Sequence, residues 1–178
     1  MADNTRQRIE FKPDADDLKM LRQAFKTMPK EMQDILRKET QHMVGELANK
    51  MRSKAHFSPN RSQALLVEKS IKANKDRLPS ITAGGGRRVQ VTRKKTPGSP
   101  QPTMGDMLFG TEFGATKNGK GTFPQGGVKF APYSGRQGNG SKGYFIFPTL
   151  RANQERIRRD YLETVYKVLK RKWGPDIG

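Results

Sequence analysis

Cysteine is absent from this 178-residue chain, which removes disulfides, thiolate metal sites and cysteine nucleophiles. Histidine is scarce: His42 and His56 alone could supply an imidazole, too little for zinc or triad chemistry. No run of ~18 apolar residues occurs, so no membrane-crossing helix is expected. The opening stretch MADNTRQRIEFKPDADD lacks an apolar core, so no secretion signal is expected either. Apolar residues are few, at 33%. What the chain has in excess is positive charge, with 35 Lys and Arg against 17 Asp and Glu, a formal net charge of +18. It also carries 18 Gly and 11 Pro. These features predict a basic protein of one domain, 1–178, with a modest core.

The excess charge is unevenly placed. Residues 1–76 carry +5 and residues 155–178 carry +3, while residues 77–154 hold 12 basic side chains against two acids, Asp106 and Glu112. A Gly- and Pro-rich stretch of that kind repels itself unless an anion lies near it. A phosphate backbone or an acidic protein surface would serve. Within it, Arg87, Arg88, Arg93, Lys94 and Lys95 form the densest cluster, and Lys117, Lys120, Lys129, Arg136 and Lys142 follow without an intervening acid after Glu112.

Periodicity places the frame around this stretch. Residues 1–13 read as an arm that pairs as a strand through Ile9 and Phe11. Asp14, Asp16 and Asp17 before Leu18, Met20, Leu21 and Phe25 mark a helix start. Pro29 suits the first position of a second helix, running to about Ala55, with Met32, Ile35, Leu36, Met43, Leu47 and Met51 on one side. A short helix over Ser62–Ala73 should bury Leu65, Leu66 and Ile71, although Leu65-Leu66-Val67 could equally open a strand. Strands are expected at Pro79–Ala83 and Val89–Thr92, joined by a tip at Gly84–Gly86. The run Gly143–Phe147 reads as a third strand closed by Pro148, with Thr149 capping a final helix to Trp173 whose face carries Leu150, Ile157, Tyr161, Val165, Val168 and Leu169. The fold class is α+β: long N-terminal helices and a C-terminal helix packed on a small antiparallel sheet, with long basic loops. Its parts are an arm (1–13), a helical part (14–76), a sheet with extended loops at 84–88 and 115–142 (77–148), and the C-terminal helix (149–173).

Several motif matches fail on context. Gly138–Gly143 fits G-x-G-x-x-G, but a loop precedes it and a strand is expected after it, not a helix N-terminus. Gly114–Lys120 starts like a phosphate-binding loop, yet Gly121 replaces the required Ser or Thr, and Pro124 blocks the following helix. Asp106 and Glu112 offer no convergent acid/base site, so no catalytic residue, metal or cofactor is expected. Glu112 reads instead as half of a structural ion pair. The Arg87–Lys95 cluster lacks the interleaved aromatics that stack on single-stranded bases and matches no helix-based DNA reader. Any contact with nucleic acid there would be independent of sequence.

Taken in order, Leu108-Phe109-Gly110-Thr111-Glu112-Phe113-Gly114, a variable loop, Tyr144-Phe145-Ile146-Phe147-Pro148-Thr149-Leu150-Arg151 and a long helix resemble one family. It is the tail-completion or head–tail joining (neck) proteins of long-tailed bacteriophages. Leu65, Leu66, Ser70 and Ile71 sit where that family has a short leucine and serine-isoleucine element, and the likeness spans about Leu18 to Leu169. The resemblance implies a virion protein without enzymatic activity, assembled in the host cytoplasm into a ring, commonly of six copies. Its implied neighbours are the connector and the tail-tube or tail-terminator proteins, with packaged DNA in the channel and no membrane. The family turn and strand would be Gly110, Thr111, Glu112, Phe113, Gly114, Phe147 and Pro148. The basic residues named above would face the lumen or a partner. The competing reading is a nucleic-acid-binding protein acting through residues 77–154.

Overall fold

Two long amphipathic helices dominate the molecule because apolar residues recur at three- and four-residue spacing over both. The computed structural model describes residues 8–11, 25–75, 78–90, 101–114, 130 and 143–173. In chain order the elements are β1 (Arg8–Phe11), α1 (Lys30–Ala55), α2 (Arg61–Glu68), β2 (Lys72–Ala73), β3 (Ile81–Gly84), α3 (Met104–Phe113) and α4 (Ile146–Trp173). The fold is α+β. Its small sheet has the order β1-β3-β2, antiparallel throughout. Register sets Arg8 against Gly84 and Phe11 against Ile81 on one side of β3, and Lys72 against Thr82 on the other.

Helices α1 and α4 run antiparallel. Lys50, late in α1, hydrogen-bonds Asn153 early in α4, while Met32 and Leu36, early in α1, share a core with Tyr161, Val165 and Val168. The larger core lies at the opposite end, where Leu47, Met51 and Ala55 meet Val67, Ile71, Ile81, Met107, Leu108 and Phe145. Full burial of a side chain the size of Leu47 or Met107 contributes ~2 kcal/mol. Ser70 ties the layers together: its hydroxyl donates to the Val67 carbonyl (2.6 Å) and accepts from the Gly84 amide (2.8 Å).

Several expectations need correction. Pro29 is the N-cap of α1 rather than its first residue, with ψ 150° and no side-chain cap. Gln33 ties the preceding residues to α1 instead, donating to the carbonyls of Met28 (2.8 Å) and Phe25 (3.2 Å). Helix α2 buries Gln63, Ala64 and Val67, whereas Leu65 and Leu66 are half-buried; Ile71 is buried beyond the helix end. The Gly84–Gly86 turn does not bring Val89 back onto β3, whose neighbours are β1 and β2, and residues 91–92 of the expected strand lie outside the described residues. Residues 85–89 pair with 102–105 instead, through Val89 N–H to Pro102 O, Met104 N–H to Arg87 O and Gly105 N–H to Gly85 O, each 2.8 Å. Segment 84–88 is therefore tied down at the start of α3 rather than extended. The stretch 108–113 is helix, not a turn, and Gly114 is its C-cap. Gly143–Phe147 is not a strand: α4 already begins at Ile146 and takes Phe147 and Pro148 into its first turn, where proline's missing N–H costs no helical bond. Thr149 lies inside α4, its hydroxyl bonded to the Phe145 carbonyl (2.6 Å), and caps nothing. Among its described residues, the part taken as sheet, 77–148, thus contributes β3, α3 and the start of α4, while β1 and β2 come from the arm and the helical part. The helix expected to start at Asp14 falls largely outside the described residues.

Candidate functional site

The family-motif residues converge on one structural joint, and Glu112 is its centre. Helix α3 starts with a reciprocal box: Thr103 Oγ1 accepts from the Asp106 amide (3.1 Å), and Asp106 Oδ2 accepts from the Thr103 amide (2.8 Å). One face of α3 buries Met107, Leu108, Thr111 and Glu112. At its far end Gly114 closes the helix, its amide donating to the Gly110 carbonyl (2.9 Å).

Glu112 is fully buried, with 0% of its surface exposed. Its carboxylate crosses to the start of α4 and accepts the amides that the helix leaves unpaired there. Oε2 takes Phe145 N–H (3.2 Å) and Ile146 N–H (3.0 Å), and Oε1 takes Phe147 N–H (2.8 Å). The expected ion pair is therefore replaced by a helix cap supplied from more than 30 residues away. Burial pushes the carboxyl up from 4.5 to about 7, against the pull of these amides and that of Tyr144 toward the charged form.

Gly143 makes the approach possible. It sits at φ +75°, and a Cβ there would overlap Oε1 of Glu112. Gly110 serves the same joint from the other side, where a Cβ would stand 2.5 Å from the Phe130 ring. Phe113 packs on Phe147 with ring centroids 5.0 Å apart, and on Phe109 at 6.2 Å. Gly110, Thr111, Glu112, Phe113, Gly114, Phe147 and Pro148 are thus brought together, but as a scaffold without exposed chemistry. Gly114 and Gly143, which flank residues 115–142, both stand at this joint: Gly114 closes the helix that carries Glu112, Gly143 precedes the amides that Glu112 accepts, and Phe130 packs against the larger core.

Of the predicted basic contact residues, Arg87 and Arg88 are exposed, beside the start of α3. Arg93, Lys94, Lys95, Lys117, Lys120, Lys129, Arg136 and Lys142 lie outside the described residues. Both acids of the 77–154 stretch, Asp106 and Glu112, are engaged with backbone amides.

His42 is exposed and stands 3.9 Å from Glu46; His56, also exposed, is 3.8 Å from Glu68. Among the described residues no three His, Asp or Glu side chains gather as a metal site, and no helix is long and apolar enough to cross a membrane.

Sequence reasoning missed the capping role of Glu112 and the whole of α3. Thr103-Met104-Gly105-Asp106 was the available signal for α3, since Thr or Ser three residues before an acid marks a helix start. No comparable signal existed for Glu112, whose partners are distant in the chain. Searches for similar proteins found no matching family model, no matching curated protein and no matching solved structure.

Proposed function

We propose that this chain is a structural protein of a tailed-phage neck: a ring-forming subunit that completes or terminates the tail and joins it to the head connector. The observation that supports it is the Glu112 joint. The two segments that carry the family resemblance, Leu108–Gly114 and Tyr144–Arg151, are separate in sequence yet bound to one another by the Glu112 carboxylate and by Phe113 against Phe147. This gives a fixed frame whose joint stands at both ends of the basic stretch 115–142. Such a division of labour suits a ring subunit, whose frame must stay constant while its extensions meet copies of itself, the connector, tail proteins or channel DNA. The subunit works by binding, and no bond is made or broken.

Deleting the gene from the phage that encodes it should leave separated heads and tails. Re-expressing the chain without residues 117–141 should fail to restore joining, although the purified variant keeps its helical content. Joined, infectious particles in the absence of the chain would end this reading.

A second reading, sequence-independent nucleic-acid binding, is favoured by one observation. Residues 77–154 carry 12 Lys and Arg against two acids, a net charge of +10, and Arg87 and Arg88 of that stretch are exposed beside the start of α3. It requires the purified chain to bind duplex DNA or RNA of any sequence with a steep loss of affinity as salt rises. No binding at low salt removes it.

A further inference from the structure

The outward face of α4 carries two exposed apolar side chains, Leu162 (50% exposed) and Tyr166 (46% exposed), one helical turn apart on a helix whose opposite side is buried against α1. Next to them lies a shallow hollow walled by Glu155, Arg158, Arg159 and Leu162, with Glu163 at its edge. The first four stand at positions i, i+3, i+4 and i+7 of one helix. That is the four-residue hole into which a knob from a facing helix inserts. The same face therefore holds an empty hole and, one turn further on, an exposed aromatic knob.

We propose that this face binds a second copy of itself, α4 against α4, antiparallel about a two-fold axis at Leu162. In that register Leu162 meets Leu162 of the other copy. Tyr166 enters the hole between Arg158 and Arg159, where a guanidinium over the ring adds a cation–π contact. Lys170 faces Glu155, and both side chains are exposed and of opposite charge. Lys167 would be the unfavourable cation near the facing arginines, but Glu163 already neutralises it at 2.6 Å. The lysine in turn holds the Glu163 carboxyl below its usual range, so the pair stays ionised. One sequence thus supplies hole, knob and both signs of charge about one central residue, with Glu155 seven positions before Leu162 and Lys170 eight after it, as a self-complementary interface requires.

Two helices crossing over a few turns bury on the order of 1,000 Å² or less, which belongs to transient association. The pairing is consequently a micromolar one. It closes on two chains and leaves the rest of each surface free. It is separate from the head-to-tail contacts of a ring and does not depend on the neck reading.

Sedimentation equilibrium of the full chain, from low micromolar to several hundred micromolar, tests it. The expected result is a monomer–dimer equilibrium between 20.1 kDa and twice that mass. Tyr166→Ala should weaken it roughly tenfold or more, as removal of a central aromatic anchor does, with an unchanged circular-dichroism spectrum. Glu155→Lys and Lys170→Glu should each weaken it by about fivefold, and the chain carrying both should recover wild-type association, because the opposite charges are restored with their signs exchanged. A wild-type chain that stays monomeric overturns the proposal. So does an assembly of any size that Tyr166→Ala leaves intact, or a double exchange that fails to rescue.

Discussion

The first turns of α3 and α4 solve one problem in two ways. A helix start leaves backbone amides without intrahelical partners. Helix α3 satisfies its own from Thr103 and Asp106, three residues apart. Helix α4 borrows Glu112 from a different helix, across the whole basic segment. The local cap stabilises one helix. The borrowed cap also decides where that helix sits, because the carboxylate can reach three amides only if α3 and α4 meet at a fixed angle and Gly143 stays bare. The difference teaches that the joint, rather than either helix alone, holds the frame together around residues 115–142.

The largest effect should come from the joint itself. Glu112→Ala leaves several buried amides without acceptors and should cost about 3 kcal/mol or more in chemical denaturation. Gly143→Ala should be comparably damaging, since it adds a clash with Glu112 to an unfavourable backbone conformation. If either variant matched the wild type, the borrowed cap would be no more than an ordinary surface contact.

A pH comparison sharpens the point. The carboxyl of Glu112 sits at about 7 in the folded chain against 4.5 when unperturbed. A group raised in the folded state contributes stability that is complete below about pH 4.5 and is lost as pH rises through 7. Subtracting the unfolding free energy of Glu112→Gln from that of the wild type should thus give a difference that declines between pH 5 and 8. Parallel curves would show that the amides, rather than burial, govern this carboxyl.

Thr103→Ala should cost less, ~1 kcal/mol, as loss of an N-cap does. The thermal midpoint of this variant should fall by a fraction of the drop seen with Glu112→Ala. A larger drop would reverse the ranking of local and borrowed caps. The smallest effect is expected from Arg87→Glu combined with Arg88→Glu. These exposed side chains should change stability by less than ~0.5 kcal/mol. The pair should nonetheless weaken retention on a cation-exchange column.

The sequence made the two long helices readable for the same reason it hid the joint. Met32, Leu36, Leu47, Ile157, Tyr161 and Val165 repeat with the helical period because one stripe of each helix faces the core, and all six are buried. Ile35, at the margin of that stripe, is only half-buried. Helix α3 has no such stripe: Met104–Phe113 is apolar nearly all round and contains two glycines, so its period is silent. Gly143–Phe147 is a short apolar run of aromatic and β-branched residues, which reads as a strand by composition. It became the approach to a helix because a distant carboxylate satisfies its amides. Local propensity lost to a tertiary contact there, and no window of the sequence centred on Phe145 contains Glu112.

The paired roots at Gly114 and Gly143 have a consequence for engineering. Closing a loop is expensive mainly in bringing its ends together, and here the frame has already done so; doubling the length of the intervening chain would add only ~0.6 kcal/mol. The joint is therefore a port. A peptide tag or a small folded domain whose own termini lie close together could be spliced between these glycines without disturbing the two helices that hold it, which would turn the frame into a carrier for whatever is inserted there.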